Sequence, residues 1–387
     1  MANQYTIGII GGGQLARMMH QASIGLSVQI RLLSESSGSS AAQVIADVTV
    51  GDYTDPETLS AFAAGCHVIT FDHEHVPTAL LHRLQDAGVL VRPGPEALVY
   101  AQDKALMRER LSGLGVPVPA FRVCASEAEL IAFGEAKGWP VIAKTSRGGY
   151  DGKGVFKLDS PAQAGEPFAA KPEISAGEAV RIVAEEYIDF TRELSALVVR
   201  EPGGQSVAYP VSQTLQRAGV CAETLTPAPD LSDEAAADIQ QMALRIAAEL
   251  GVVGVLAVEL MQTADGRVFV NELAMRPHNT GHWSIDGALT SQFENHLRAV
   301  LGLPLGSPAM RASHVAMANV LGGSVPDLVA GLGHCLAEDP RLRVHLYGKP
   351  VTPGRKVGHV TTLDSTASGA TQRARHAANY LMGDQHA

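Results

Sequence analysis

Apolar residues in this chain come in short runs divided by polar and glycine-rich segments. Residues 5–10, 28–33, 44–50 and Val68–Phe71 read as apolar strands, each followed by helix-forming sequence. That alternation predicts a parallel sheet wrapped by helices. Residues 96–114 read as one helix ending at Gly115, ahead of Pro117 and Pro119. A buried strand is expected at 140–143 and another at 181–188. The stretch 160–177 is rich in Pro, Gly and Ala, has no period, and reads as a surface excursion. Residues 232–250 form a clear amphipathic helix: Ser232 caps it, Asp233 and Glu234 open it, and Gly251 stops it. Its buried stripe is Ile239, Met242, Ala243, Ile246, Ala247 and Leu250. Residues 254–261 and 267–273 pair as a hairpin, 286–301 read as a helix, and 315–320 and 344–347 as strands. Beyond Thr366 the chain is alanine-rich and without a legible pattern.

Length and charge narrow the reading. A chain of 387 residues, 46% apolar and 18% charged, is an ordinary globular balance divided among two or three domains. The formal net charge of −10 and pI near 5.8 argue against a general nucleic-acid binder. An anionic substrate must be met by local cations. Cys66, Cys124, Cys221 and Cys335 are scattered, with no Cys-x-x-Cys pair, so neither a disulfide framework nor a zinc ribbon is expected. With no signal-peptide pattern and no apolar run of membrane-spanning length, the expectation is a soluble, cytoplasmic protein with no membrane partner.

Gly11-Gly12-Gly13-Gln14-Leu15-Ala16 follows the first strand and satisfies Gly-x-Gly-x-x-Ala, with Glu35 after the second strand. This is the dinucleotide fingerprint, so an NAD-dependent oxidoreductase is one reading. The other is a tight strand-to-helix turn that needs glycines for close packing. The strand at Val68–Phe71 runs into Asp72-His73-Glu74-His75. This cluster is either a metal site or a ligand contact, since carboxyl ends of strands open into the binding crevice of such sheets.

The densest chemistry lies at 144–154, Lys-Thr-Ser-Arg-Gly-Gly-Tyr-Asp-Gly-Lys-Gly. Its glycines free backbone N–H groups to close over phosphate oxygens, and Lys144, Arg147 and Lys153 add cations. The plainer reading is a glycine hairpin tip with solvated charges. Further on, Asp265-Gly266 is a preferred two-residue hairpin turn. If it is the turn, Ala264 faces Arg267, and counting outward places Glu259 opposite Glu272. Opposed carboxylates repel. A bridging Mg²⁺, which favours carboxylate and phosphate oxygens, would explain the pair; a solvated pair in a shifted register is the alternative. The Gly348–His359 segment carries Lys349, Arg355 and Lys356 on a Gly/Pro turn, either a surface loop or a phosphomonoester site.

Taken in order, these segments resemble the ATP-grasp ligases, and among them the family that carboxylates 5-aminoimidazole ribonucleotide (AIR). The resemblance is carried by Lys-Thr-x-x-Gly-Gly-Tyr-Asp-Gly-Lys-Gly at 144–154, Gly-Gly-Gly-Gln-Leu at 11–15, Arg-Pro-His-Asn-Thr-Gly-His-Trp at 276–283 and Pro-Gly-Arg-Lys-Val-Gly-His at 353–359. The chain departs from the family pattern at Asp72, His73, Gln216 and Met275. The resemblance implies an α/β chain, α+β in its ATP-grasp part, with three domains: a Rossmann-like N-terminal sheet (1–104), an ATP-grasp domain (105–305, flap about 120–188) and a C-terminal domain (306–387).

It also implies ATP, Mg²⁺ and bicarbonate as reactants, with carboxyphosphate as intermediate and a homodimeric assembly. Lys104, Lys144, Gly149, Gly152 and Gly154 would meet the nucleotide phosphates. Backbone groups near Glu185, Glu186 and Ile188 would read adenine, and Glu193 would hold the ribose; Gln216 and Asn271 complete the nucleotide contacts. Glu259 and Glu272 would hold the metal. Gln14, Glu74, Asn279, Lys349 and Arg355 would bind AIR, with Glu74 facing the aminoimidazole. Arg276 and His278 would bind bicarbonate and the carboxylated product, with Asp151 as candidate base and Tyr150 and Lys153 positioning the substrate. Within the class, a formate-using transformylase is the nearest rival. A non-catalytic nucleotide-binding regulator is another, against which the carboxylate pair argues.

Overall fold

The computed structural model describes residues 5–148, 153–170, 181–217 and 219–384. At the N-terminus, β1 (Thr6–Ile10), β2 (Gln29–Ser34), β3 (Asp47–Val50) and β4 (Val68–Phe71) form a parallel sheet in the order β3-β2-β1-β4. Both faces of β1 are covered, which is why it reads as an unbroken apolar run. Ile7 and Ile9 pack with Leu15, Met19, Phe293 and Leu297; Ile10 and Phe71 face the opposite core with Phe62, Leu81 and Leu98. β3 begins later than the pattern indicates, because the Val44 and Ile45 N–H groups close a turn onto the Ala41 carbonyl.

A second sheet forms the flap. β5 (Phe121–Cys124), β6 (Val141–Thr145), β7 (Val155–Leu158) and β8 (Ile182–Glu186) lie antiparallel in the order β5-β8-β6-β7. Helix Glu127–Lys137, capped by Ser126, covers it through Leu130 and Phe133. The glycine-rich stretch joins β6 to β7. Gly154 adopts φ +71°, its carbonyl accepts the Thr145 N–H at 3.0 Å, and a Cβ there would lie 2.5 Å from Thr145 Oγ1. Only glycine closes the turn without strain.

The third sheet is the largest. β9 (Phe190–Arg200), β10 (Ser206–Ala208), β11 (Ser212–Arg217), β12 (Val220–Thr226), β13 (Gly254–Thr263), β14 (Val268–Ala274), β15 (His314–Leu321), β16 (Arg343–Leu346) and β17 (Lys356–Asp364) run in the order β14-β13-β9-β11-β12-β15-β17-β16, with β10 on β9. Pairing of β12 with β15 carries this sheet across residues 305 and 306. The amphipathic helix forms over Asp233–Glu249, with the Ser232 hydroxyl accepting the Ala235 N–H and Ile239, Ala243, Ile246 and Ala247 buried.

Several elements differ from the sequence reading. The helix expected at 96–114 is two, Pro95–Gln102 and Lys104–Gly113. Asp103 breaks it: its carboxylate accepts the Ala105 and Leu106 N–H groups and caps the second helix. Likewise 286–301 is split into Ser284–Gly287 and Gln292–Leu301, the latter capped by Ser291. The segment after Lys356 is a buried strand. The alanine-rich tail is a helix, Ala367–Met382, whose Ala370, Ala374, Ala377, Ala378 and Leu381 face the core. That stripe has helical spacing, but alanine contributes too little hydrophobic contrast to reveal it.

Gly8 on β1 tests the packing of the N-terminal sheet. A Cβ there would lie 2.5 Å from Ile69 Cδ1 and 2.9 Å from Cys66 Sγ. Gly8→Ala is expected to destabilise the protein by about 1–3 kcal/mol, read as a lowered urea midpoint. An unchanged midpoint would refute the packing.

Candidate active site

The flap, the large sheet and the carboxyl ends of the N-terminal strands surround one cleft of 1310 Å³. The hairpin β13/β14 supplies its floor. Its turn holds three residues rather than two: Thr263 and Arg267 are hydrogen-bonded, and Gln262 pairs with Val268, Met261 with Phe269 and Leu260 with Val270. A β-bulge then inserts Asn271, so that Glu259 does face Glu272. The extra turn residue and the bulge cancel. The bulge also re-aims Asn271 into the cleft, a common use of such irregularities beside active sites.

Around the pair, Lys104 Nζ lies 3.3 Å from Glu272 Oε1 and His278 Nε2 lies 3.2 Å from Glu259 Oε1. Burial, then the nearby Glu272 and Glu193 charges, push the Glu259 carboxyl up to about 8. Burial and the Arg276 charge hold His278 well below the usual histidine range, so its imidazole is neutral. The two carboxyl groups are hard oxygen donors, and a cation beside them would offset the repulsion that raises Glu259, which fits a Mg²⁺ ion.

Above the floor, Lys144 spans flap and large sheet. Its Nζ donates to Glu185 Oε2 at 2.9 Å and to Asn271 Oδ1 at 3.0 Å. Glu185 also accepts from Arg108 Nε at 2.7 Å, and Arg108 Nη2 donates to the Asn271 carbonyl at 2.7 Å. Arg108, Glu185 and Lys144 are all buried. Burial alone would raise the Glu185 carboxyl, but Arg108 and Lys144 outweigh it and hold it below the ordinary value. Beside them, buried Asp103 accepts from Arg147 Nε at 2.9 Å and Arg181 Nη2 at 3.0 Å. It ties the end of β6 and the start of β8 to the helix that presents Lys104.

Also lining the cleft, Glu74 accepts from Arg276 Nε at 2.8 Å and from the Met275 N–H at 2.9 Å. Gln292 clamps His278 through its backbone N–H and carbonyl. Lys349 Nζ donates to Gln14, and Ser40 and Gln43 hold the Tyr347 and Gly348 carbonyls. Lys349, Arg355 and Lys356 all line the cleft. The glycine turn is not available to a dinucleotide pyrophosphate. Asp72 accepts the Gly13 N–H at 3.0 Å and the Ala16 N–H at 2.7 Å, filling the anion position at the helix start. His73 and His75 stack on one another, and the His75 N–H donates to His73 Nδ1, so they do not converge on an ion.

Of the residues singled out in the sequence, Gln14, Glu74, Lys104, Lys144, Glu193, Gln216, Glu259, Asn271, Glu272, Arg276, His278, Asn279, Lys349 and Arg355 all line this cleft. Glu185 stands behind Lys144. The Glu186 side chain caps the Ala120 N–H, the Ile188 carbonyl accepts the Phe190 N–H, and Lys153 is exposed beside Gly154. Gly149, Tyr150, Asp151 and Gly152 lie outside the described residues. Arg108, the bracing role of Asp103 and the plugging role of Asp72 escaped the sequence reading. Each looks like an ordinary helix or loop charge, and only the alternation of cations and carboxylates across distant segments reveals it.

A three-part chain of this kind, with a flap sheet over a floor hairpin of opposed glutamates, is an ATP-grasp protein. The ATP-grasp domain model matches residues 109–293, the ribonucleotide synthetase preATP-grasp domain residues 4–102, and the phosphoribosylaminoimidazole carboxylase C-terminal domain residues 315–373. The chain is 50% identical over 378 residues to the N5-carboxyaminoimidazole ribonucleotide synthase of Mycobacterium tuberculosis, covering 97% of this chain and 87% of that one. Among solved structures it resembles the Thermus thermophilus synthetase (TM-score 0.85, 35% identity, 98% of this chain and 99% of that one). It also resembles the Aspergillus clavatus synthase in complex with ADP and AIR (TM-score 0.87, 29% identity, 98% and 100%). The chain belongs to the N5-carboxyaminoimidazole ribonucleotide synthase family of ATP-grasp ligases.

Glu185→Gln tests the buried relay. It leaves Arg108 and Lys144 incompletely paired, and the expected loss is about 3–5 kcal/mol in denaturant unfolding. Adding Arg108→Met should recover part of it. The Glu185 carboxyl lies below its unfolded value near 4.5, so its stabilisation is present above that pH and lost as pH falls through the folded value. The variant should lack that part of the acid sensitivity. A Glu185→Gln protein as stable as the parent would contradict the relay.

Proposed function

We propose that this chain carboxylates AIR with ATP and bicarbonate, yielding N5-carboxyaminoimidazole ribonucleotide, ADP and phosphate in purine biosynthesis. The observation that carries this reading is the continuity of the cleft. Lys104, Lys144 and the opposed glutamates line it together with His278, which touches Glu259, and with Arg276, Lys349 and Arg355. A phosphoryl donor and an anionic acceptor can therefore meet without leaving it.

The nucleotide would enter between flap and floor. Ile142, Val155 and Phe190 offer apolar surface for a flat base, with backbone groups near Glu185, Glu186 and Ile188 reading its edge. Glu193 would take the ribose hydroxyls, and Gln216 and Asn271 further polar contacts. Lys104, Lys144 and the N–H groups of Gly149, Gly152 and Gly154 would steady the phosphates. Glu259 and Glu272 would hold Mg²⁺, which would supply charge compensation at the phosphate oxygens. A bicarbonate oxygen, oriented by Arg276 and neutral His278, attacks the γ-phosphorus as the bond to ADP breaks.

The resulting carboxyphosphate loses phosphate as its CO₂ is transferred. The exocyclic amine of AIR forms the new C–N bond and gives up a proton, for which Asp151 is the candidate acceptor. Lys349 and Arg355 would hold the AIR phosphate and Gln14, Glu74 and Asn279 its other polar groups, while Tyr150 and Lys153 position it. A closed flap excludes the water that would destroy carboxyphosphate.

A formate-using transformylase would share the ATP half of this site; the basic segment around Lys349 and the Arg276–Trp283 loop favour AIR. The four free cysteines among the described residues fit a reducing cytoplasm. No described helix is long and apolar enough to cross a membrane. A homodimer is the assembly supported by resemblance, and sedimentation would measure it.

Phosphate release with ATP, bicarbonate and AIR, omitting each in turn, tests the assignment. Full turnover is expected only with all three, and glycinamide ribonucleotide with formate should give none. Glu272→Gln should lower kcat by about 10²–10³-fold, the scale for losing one electrostatic element of a phosphoryl-transfer site. Undiminished turnover in Glu272→Gln, or stimulation by the glycinamide nucleotide, would overturn the proposal.

A further inference from the structure

Asn279 presents an unresolved choice in the sequence: its amide can offer the cleft either an acceptor or a donor. At ordinary precision the two ends of an amide are told apart only by their neighbours. Here the neighbours decide. Asn319, on β15 of the C-terminal part, is buried, and its Nδ2 lies 2.8 Å from the Cys221 backbone carbonyl and 2.8 Å from Asn279 Oδ1. A backbone carbonyl only accepts, so Asn319 must turn its NH₂ toward Cys221. The same NH₂ then faces Asn279, which must answer with its oxygen. The Asn279 Nδ2 is left as a buried donor with no partner among the described residues, on a residue that lines the cleft, and Asn319 Oδ1 is likewise unpartnered. Reversing Asn319 would set oxygen against the Cys221 carbonyl. Buried donors are normally satisfied, and one that is not, beside a substrate cleft, points to the ligand as its missing partner.

We propose that Asn319 is a positioning residue that locks the Asn279 amide donor-first, so that the site selects a hydrogen-bond acceptor on the aminoimidazole ribonucleotide and disfavours an amino group there. This rests on the reading of Asn279 as a substrate-binding residue and adds how its polarity is set. The lock joins three segments far apart in sequence: the Cys221 carbonyl on β12, the loop after β14, and β15. A site built around one donor rejects the wrong partner strongly, because the mismatch leaves buried polar groups unpaired.

The test is steady-state kinetics on the full chain. Asn319→Asp keeps the volume but removes the donor; its carboxylate draws the Asn279 NH₂ toward itself and turns the oxygen into the cleft. The expected result is a rise of about tenfold in KM for AIR with KM for ATP changed less than about twofold, the scale of one lost hydrogen bond facing a mismatched partner. Asn319→Ala releases the amide without reversing it, so its rise should be smaller. Loss of packing alone would rank these variants the other way, because alanine leaves the larger void. Should Asn319→Asp fail to fold, an unchanged KM for AIR in Asn319→Ala would by itself overturn the lock. Parallel rises for both substrates, or a larger effect from alanine than from aspartate, would overturn it as well. Asn279→Asp separates the two readings: a normal KM for AIR there would defeat substrate binding by Asn279, whereas a raised KM there with normal Asn319 variants would defeat the lock alone.

Discussion

Two carboxylates confront each other on an otherwise apolar hairpin, and much of the cleft can be understood as a response to that. Directly opposed strand positions hold their Cβ atoms about 5 Å apart, and two unit charges at that separation repel by roughly 3 kcal/mol at an effective dielectric near 20. The fold could have avoided it by one residue of slip. Instead the three-residue turn, which would misalign Glu259 and Glu272, is corrected by a bulge at Asn271. The protein accepts an unfavourable juxtaposition and surrounds it with Lys104 on one side and a neutral His278 on the other. Such local conflict is expected at functional sites rather than in scaffold.

The same bulge explains how the flap is registered on the floor. By displacing Asn271, it offers a side-chain oxygen to Lys144 and a backbone carbonyl to Arg108. Glu185, from the flap, neutralises both cations from behind. A hydrogen-bonded alternation of charges therefore runs from the Lys104–Gly113 helix through the flap to the floor hairpin. Asp103, gripping Arg147 and Arg181, fastens the flap a second time. These braces hold Lys144 and the helix that presents Lys104 in place. Buried ion pairs of this kind contribute little net stability but fix geometry, because any alternative leaves a charge unpaired.

The periodic parts of this chain were legible in advance. The parallel N-terminal sheet, the capped helix at Asp233–Glu249 and the carboxylate hairpin follow from apolar spacing, cap residues and Asp-Gly. The facing of Glu259 and Glu272 was read correctly by a route that does not exist, since neither the third turn residue nor the bulge has a local signature. The break at Asp103 was hidden because an aspartate inside helix-forming sequence can as well be a solvated residue as a cap. The C-terminal helix was hidden by its alanines, and β17 by the basic turn that precedes it. Arg108 and Asp72 could not be found at all: their meaning lies in partners at Glu185 and Asn271, and at Gly13 and Ala16, which only the folded chain brings near.

The most direct measurement is crystallographic. Crystals grown with ADP and Mn²⁺ in place of Mg²⁺, with data collected at the manganese edge, would locate the ion by its anomalous signal. The expected peak lies between the Glu259 and Glu272 carboxylates, about 2.1–2.3 Å from an oxygen of each and beside the nucleotide phosphates. A peak elsewhere, or an ion bound while either glutamate turns away from it, would contradict the role given to the pair.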